Sequence, residues 1–366
     1  MTIRDQLPRL LLLSALVTLI IAGWGGLVRM GWAMQPFAVA DHGPLMISGF
    51  LGTLITLERA VALSALLKKG YWAYSAPLLS ILGAVALLLG MPRPFALTLI
   101  TLGSLALVIV FAIIVYHQPA LFTVTMAIGA GCWLIGNLLW LSGQPIFQIV
   151  YWWVDFLVLT IAGERLELTR ILRHPRYTHT LFMVVVAWLI ASLVLTQANL
   201  EWGVRLEGIG QIGLGLWLLR YDIARRTVKQ AGMTRYIASC LLAGYAWLLT
   251  GGVLRLLVGT MPAGPIYDGL LHSILLGFAF SMIFGHALII LPAVARQSVP
   301  FKHLFYAHLI LLHTSLILRL AGDFGSWLTL RQWGGMLNVI AILIFIGSTA
   351  YAVVSHRRAQ RVQPAS

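Results

Sequence analysis

The sequence predicts an all-α fold, a polytopic transmembrane helical bundle of about 12 helices, from three observations. The chain of 366 residues is 60% apolar and only 10% charged, and its mean hydropathy of +0.91 is far outside the range of soluble globular domains. Apolar runs of roughly twenty residues, the length that crosses a bilayer, follow one another with short breaks. Lysine and arginine gather on alternate breaks, as they do where helices re-cross a membrane. No stretch is left for a soluble domain, so residues 1–366 read as a single transmembrane domain.

The spans fall at roughly 9–30, 43–66, 71–91, 94–116, 120–142, 146–168, 180–198, 203–223, 236–259, 267–293, 303–321 and 332–355. The first follows a signal-like start, Met1 to Arg9, but it is long and lacks a small-residue cleavage site before Trp24, so it reads as an uncleaved helix. Only Met91-Pro92-Arg93-Pro94 separates the third span from the fourth, and neither proline can continue a helix. The eighth is the least apolar, carrying Arg205 and Glu207 near its start.

Orientation follows from the basic residues. Arg4 with Arg9, Lys68 with Lys69, Arg170 with Arg173 and Arg176, Arg225 with Arg226 and Lys229, Arg296 with Lys302, and Arg357 with Arg358 occupy alternate loops. Both termini are therefore expected in the cytoplasm. The net charge of +14 reports topology, because the basic residues sit at helix ends and form no continuous face for nucleic acid. The expected partner is the lipid bilayer, with no nucleic acid. Cys132 and Cys240 lie in apolar segments without metal-ligand spacing and are expected to be reduced packing residues. No Cys-x-x-Cys-His occurs, which excludes covalently attached c-type haem, and neither a Walker A pattern nor a Rossmann fingerprint is present.

The residues that point to chemistry are histidines. His42, His272, His286 and His313 fall inside apolar helices, where an imidazole is costly unless paired, solvated or bound to a metal. His42 opens the second span in Asp41-His42-Gly43-Pro44-Leu45-Met46, and Met46 shares its face if the helix has begun by His42. Gly43, Ser48, Gly49 and Gly52 make this helix slim enough for a macrocycle to approach, or for a neighbouring helix to pack. In the tenth span, fourteen residues separate His272 from His286. At about 100° and 1.5 Å each, they return to within roughly 40° of one face and span about 21 Å. That separation suits two levels of site rather than one metal. Gly277 and Gly285 add room for a cofactor or for a tight crossing.

Three histidines five residues apart, His303, His308 and His313, mark the eleventh helix, and that spacing prevents all three from facing one site. His303 beside Lys302 reads as solvated, and His313 near the midplane reads as a ligand or a ligand's neighbour. Arg255, Arg319 and Asp268 lie toward the outer face, either around haem propionates or as interfacial anchors. A Glu-Arg pair recurs as Glu58-Arg59 and Glu164-Arg165 near the cytoplasmic ends of the second and sixth helices, as a salt-bridging device. Asp155 is the main carboxylate near the midplane.

On these residues the chain resembles a known family. His42-Gly43-Pro44-Leu45-Met46-Ile47-Ser48-Gly49-Phe50, and His272 with Leu276-Gly277 and Met282, each on an even-numbered helix of twelve, look like the NnrS family of haem- and copper-containing bacterial membrane proteins. The His-Gly-x-x-Met start is also similar to the low-spin haem helix of haem-copper oxidase subunit I. The resemblance implies haem b, copper, a small gas or a quinol as partner, a place in the bacterial inner membrane, and a role in nitric oxide response or respiratory electron transfer. Together with the placement of the buried histidines and outer-face charges, this makes His42, His272, His286 and His313 the expected metal ligands, with Met46, Arg255 and Arg319 expected against the cofactor. An enzyme of this kind would be a haem-dependent oxidoreductase. The chain departs from the family in lacking His-x-His-Glu on the second helix, and from the oxidases in lacking adjacent histidines and His-Pro-Glu-Val-Tyr. Those departures argue against oxygen reduction and weaken copper more than haem. The alternatives are a secondary transporter working through intramembrane His, Arg and Asp, and a haem or copper delivery protein.

Overall fold

In a computed structural model the described residues are 3–67, 70–172 and 174–362. Lys68, Lys69 and Arg173, which enter the orientation argument, lie outside them. All twelve predicted runs are helices, named here α1 (Ile3–Arg29), α2 (His42–Leu66), α3 (Gly70–Leu88), α4 (Arg93–His117), α5 (Leu121–Leu141), α6 (Ile146–Thr169), α7 (Arg176–Thr196), α8 (Leu200–Tyr221), α9 (Gly232–Val258), α10 (Pro265–Val294), α11 (Phe305–Gly325) and α12 (Leu328–Val362). Among the described residues, 11 are long and apolar enough to cross a membrane; the exception is α8. The protein is an all-α, polytopic membrane bundle. Several helices outrun the predicted spans, α12 most of all, because helical hydrogen bonding continues past the apolar stretch into residues that reach water.

The chain gathers into two compact units, 1–167 and 168–366. In the first, α1 packs on α2, and α3, α4 and α5 pack in sequence. Between α3 and α4 the chain turns at Gly90, whose φ of +65° suits a residue without Cβ, and α4 restarts with proline in its first turn. In the second unit α8 lies between α7 and α9, α9 also packs on α10, and α11 pairs with α12. Gly208 and Gly252 bring α8 and α9 together: a Cβ on Gly252 would stand 2.8 Å from the Gly208 carbonyl oxygen.

The charges of α8 explain why it belongs in the bundle despite its composition. Glu207 is buried and ion-paired with the equally buried Arg255 of α9, and Gln211 Nε2 donates to the same carboxylate oxygen at 2.9 Å. At the mouth of α8, Arg205 donates to the last carbonyls of α9, at 2.7 Å to Leu256 and 3.0 Å to Leu257. Glu201 accepts from Arg205 Nε at 2.6 Å and from the Thr260 backbone N–H at 2.8 Å. The Thr260 N–H, and then Arg205, hold the Glu201 carboxyl below its ordinary range.

Among the described residues α3 opens with a 3-10 turn, Gly70–Tyr74, and two helices contain π segments, both carrying predicted histidines. In α2 an eight-residue π segment, Leu45–Gly52, begins three residues after His42. In α10 another of eight residues, Ser273–Phe280, begins immediately after His272. A hydroxyl residue closes each one: Thr53 Oγ1 donates to the Ser48 carbonyl at 3.3 Å, and Ser281 Oγ to that of Gly277 at 2.6 Å. Such segments are uncommon and concentrate at functional sites. They also shift the helical phase, because i→i+5 bonding fits more residues into a turn. The 40° return from His272 to His286 expected of an unbroken α-helix therefore does not describe α10.

Candidate functional site

In the first unit His42 is the first residue of α2, and its Nδ1 lies 2.6 Å from the Ala22 carbonyl oxygen of α1. A carbonyl only accepts, so Nδ1 carries the proton and Nε2 the lone pair. The ring fits because α1 has Gly26 beside it: a Cβ there would stand 2.8 Å from His42 Cε1. Met46 turns to the same part of α1, packing against the cluster of Ala22, Leu45 and Ala84. Asp41 pairs with Arg93 at 3.0 Å just outside α2.

The small residues of α2 serve helix packing more than open space. Gly49 is closed by Thr18 and Ala84, and Gly52 by the Trp133 indole at 2.5 Å from a would-be Cβ; Gly43 has nothing within 4 Å. In the second unit Gly277 is closed by the Trp247 ring and Gly285 by Cys240. Each π segment thus seats a tryptophan from a neighbouring helix on one of its glycines.

The same tautomer appears twice on α10. His272 Nδ1 lies 2.9 Å from the Asp268 carbonyl oxygen, and His286 Nδ1 lies 2.8 Å from that of Met282. Both rings therefore hold their proton on Nδ1 and their lone pair on Nε2. Metal-bound histidines show this arrangement almost universally, since the hydrogen bond fixes the ring and leaves the other nitrogen basic.

His313 differs. Its Nδ1 accepts from the Trp247 indole N–H at 2.9 Å, so the proton sits on Nε2, 3.5 Å from Ser281 Oγ. With one nitrogen accepting and the other protonated, the ring as placed is not in the form that binds a metal. The midplane position was legible, but the partner that decides its role comes from α9. His308 is buried and shares a 2.8 Å hydrogen bond with the Tyr236 hydroxyl.

Of the three residues expected to gather at the outer face, two do. Arg319 grips Asp268 with both prongs, Nε to Oδ2 at 2.7 Å and Nη2 to Oδ1 at 2.8 Å. His272 joins them, its Nδ1 3.2 Å from Asp268 Oδ1. Arg319 Nη2 stands 3.4 Å from both ring nitrogens. Asn338 of α12 braces the cluster through Ser315, donating to its Oγ at 2.6 Å. Arg255 is instead committed to Glu207, a partner that sequence reasoning placed on a different span without connecting the two. Asp323 pairs with Arg331 at 2.8 Å. In the first unit, Arg59 bridges its own neighbour Glu58 at 2.8 Å and Glu164 of α6, so the two Glu-Arg motifs meet. Asp155 is fully buried.

Among the described residues, no group of three His, Cys, Asp or Glu side chains could hold a metal ion. A centre built from three such side chains is therefore not assembled among these residues. Haem makes a smaller demand, one axial nitrogen on a face, and three histidines offer it in the required tautomer.

Fold and site together define a polytopic α-helical membrane protein with intramembrane imidazoles fixed by backbone carbonyls. The chain belongs to the family described as Domain of unknown function (DUF8744), whose model matches residues 8–354. No curated protein matches it.

Proposed function

We propose that this chain is a haem-binding protein of the bacterial inner membrane, similar to the NnrS type, acting in the nitric oxide response or in respiratory electron transfer. One observation carries the reading: His42, His272 and His286, within helices that cross the bilayer, each have Nδ1–H held by a backbone carbonyl and the lone pair on Nε2. These three are the proposed axial ligands, and His313 is left out because of its bond from Trp247. A bound haem b would supply one-electron chemistry and a coordination position for a small neutral gas such as nitric oxide. The chain's part is to fix the rings, keep them dry and place charge. Arg319, held in its fork with Asp268 beside His272, would be the residue to pair with a haem propionate. Met46 packs on the cluster of Ala22, Leu45 and Ala84, beside the carbonyl that holds His42. A quinol is the proposed electron donor if the protein turns over.

The test is an absorbance series on purified full-length variants. His42→Ala, His272→Ala and His286→Ala should each lower or shift haem absorbance, whereas His303→Ala and His313→Ala should leave ligation intact. Unchanged spectra in all five would refute the assignment. With haem present, consumption of nitric oxide separates an enzyme from a delivery protein.

A second reading, secondary transport, is favoured by the fully buried Asp155, Glu207 and Arg255. It predicts substrate-coupled proton flux in liposomes that Asp155→Asn abolishes, with no dependence on haem.

A further inference from the structure

A cavity of about 520 Å³ opens where the start of α9 meets the segment before α11, its lining including Gly232, Arg235, Ser239, Phe301, His303 and Tyr306. Its size is within the range of small-molecule sites. Its position is the loop that the lysine and arginine pattern assigns to the cytoplasm, with Arg225, Arg226, Lys229 and Lys302 nearby in sequence. The lining divides by chemistry. Arg235 is fixed through Nε, which donates to the Gln230 carbonyl at 2.6 Å, and its two Nη groups make no hydrogen bond among the described residues. The same holds for the His303 ring, which meets Phe301 edge to face at 5.3 Å, and for the Tyr306 hydroxyl. Ser239 already donates to the Arg235 carbonyl. The cavity thus presents donors in excess and lacks a carboxylate. Next in sequence to its lining residues Gly232 and His303, Met233 and Leu304 are 40% and 52% exposed.

We propose that this cavity binds a phosphate group, that of an anionic phospholipid at the cytoplasmic leaflet. The Arg235 fork and His303 take the phosphate oxygens, Tyr306 adds a hydroxyl donor, and the chains run along Met233 and Leu304. Basic pockets at helix ends on the cytoplasmic side have this chemistry. The site is independent of the haem reading, since none of the proposed axial ligands lines it.

The experiment measures lipid retention by the full chain in detergent, with phosphatidylglycerol, phosphatidylcholine and inorganic phosphate as probes. The expected result is preferential retention of phosphatidylglycerol, reduced about five-fold in Arg235→Gln, the worth of one cation at an anionic surface. Arg235→Lys should recover most of it, and Arg29→Gln, an exposed arginine outside the cavity, should leave it unchanged. His303→Gln gives a second reading should Arg235→Gln fail to fold. If inorganic phosphate competes and binds with the same Arg235 dependence, the phosphate site stands and its source is soluble. Equal retention of the two lipids, or retention indifferent to both Arg235 and His303 substitutions, would overturn the proposal.

Discussion

Gly26→Ala should weaken haem binding without touching any residue that contacts the metal. The added Cβ would stand 2.8 Å from His42 Cε1 and 3.0 Å from Nδ1, against an ordinary contact of 3.4 Å or more. The imidazole must therefore retreat by about 0.6 Å, from 2.8 Å to 3.4 Å. Its hydrogen bond to the Ala22 carbonyl, now 2.6 Å, lengthens past about 3 Å and loses alignment. That bond selects the tautomer with its lone pair on Nε2. Losing such a supporting contact costs about 10–100-fold in metal affinity, whereas the hydrogen bond itself is worth only about 1 kcal/mol to the fold. The assay is haem titration of the apoprotein followed by absorbance, alongside a thermal melt in detergent. Gly43→Ala is the matched control, since nothing lies within 4 Å of its added Cβ. A Gly26→Ala protein that binds haem as tightly as Gly43→Ala would refute the claim that the α1 contact prepares His42.

Three further predictions follow from the polar contacts. Arg255→Met alone should destabilise the protein by about 3–5 kcal/mol because it strands Glu207, and Arg255→Met with Glu207→Leu should cost much less, as read by denaturant or thermal unfolding. Arg319→Lys keeps the charge but loses one prong of the fork to Asp268, a loss of about 1.5–3 kcal/mol in the same assay. Glu201 has its pKa lowered by the Thr260 N–H and Arg205, so the stability it contributes is present at neutral pH and disappears as pH falls through the lowered value. The melting temperature of Glu201→Gln should therefore decline less than wild type on acidification; parallel declines would contradict this.

The parts of the fold legible in the sequence were those set by length and punctuation. Twenty-residue apolar runs can only be helices in lipid, and Gly90 with Pro92 and Pro94 ended one run and began the next. Helix α8 was the hardest to place because its partner for Glu207 is on α9, and hydropathy cannot see a neutralising ion pair. The π segments were not legible at all. Their i→i+5 ladder coincides with close packing from elsewhere in the chain, Trp133 on Gly52 and Trp247 on Gly277, which no local pattern encodes. The histidines were visible as anomalies, yet their tautomers were not, because each is decided by a carbonyl or an indole that folding brings into reach. Gly25-Gly26 in α1 was the available clue to the His42 pocket.

The most direct test of the central claim is iron analysis with an optical spectrum on the purified full-length protein. The account predicts stoichiometric iron, a Soret band and the reduced bands of a b-type haem, with the band changed in His42→Ala. A protein that carries no iron and shows no Soret absorbance, even after reconstitution with haem, would contradict it.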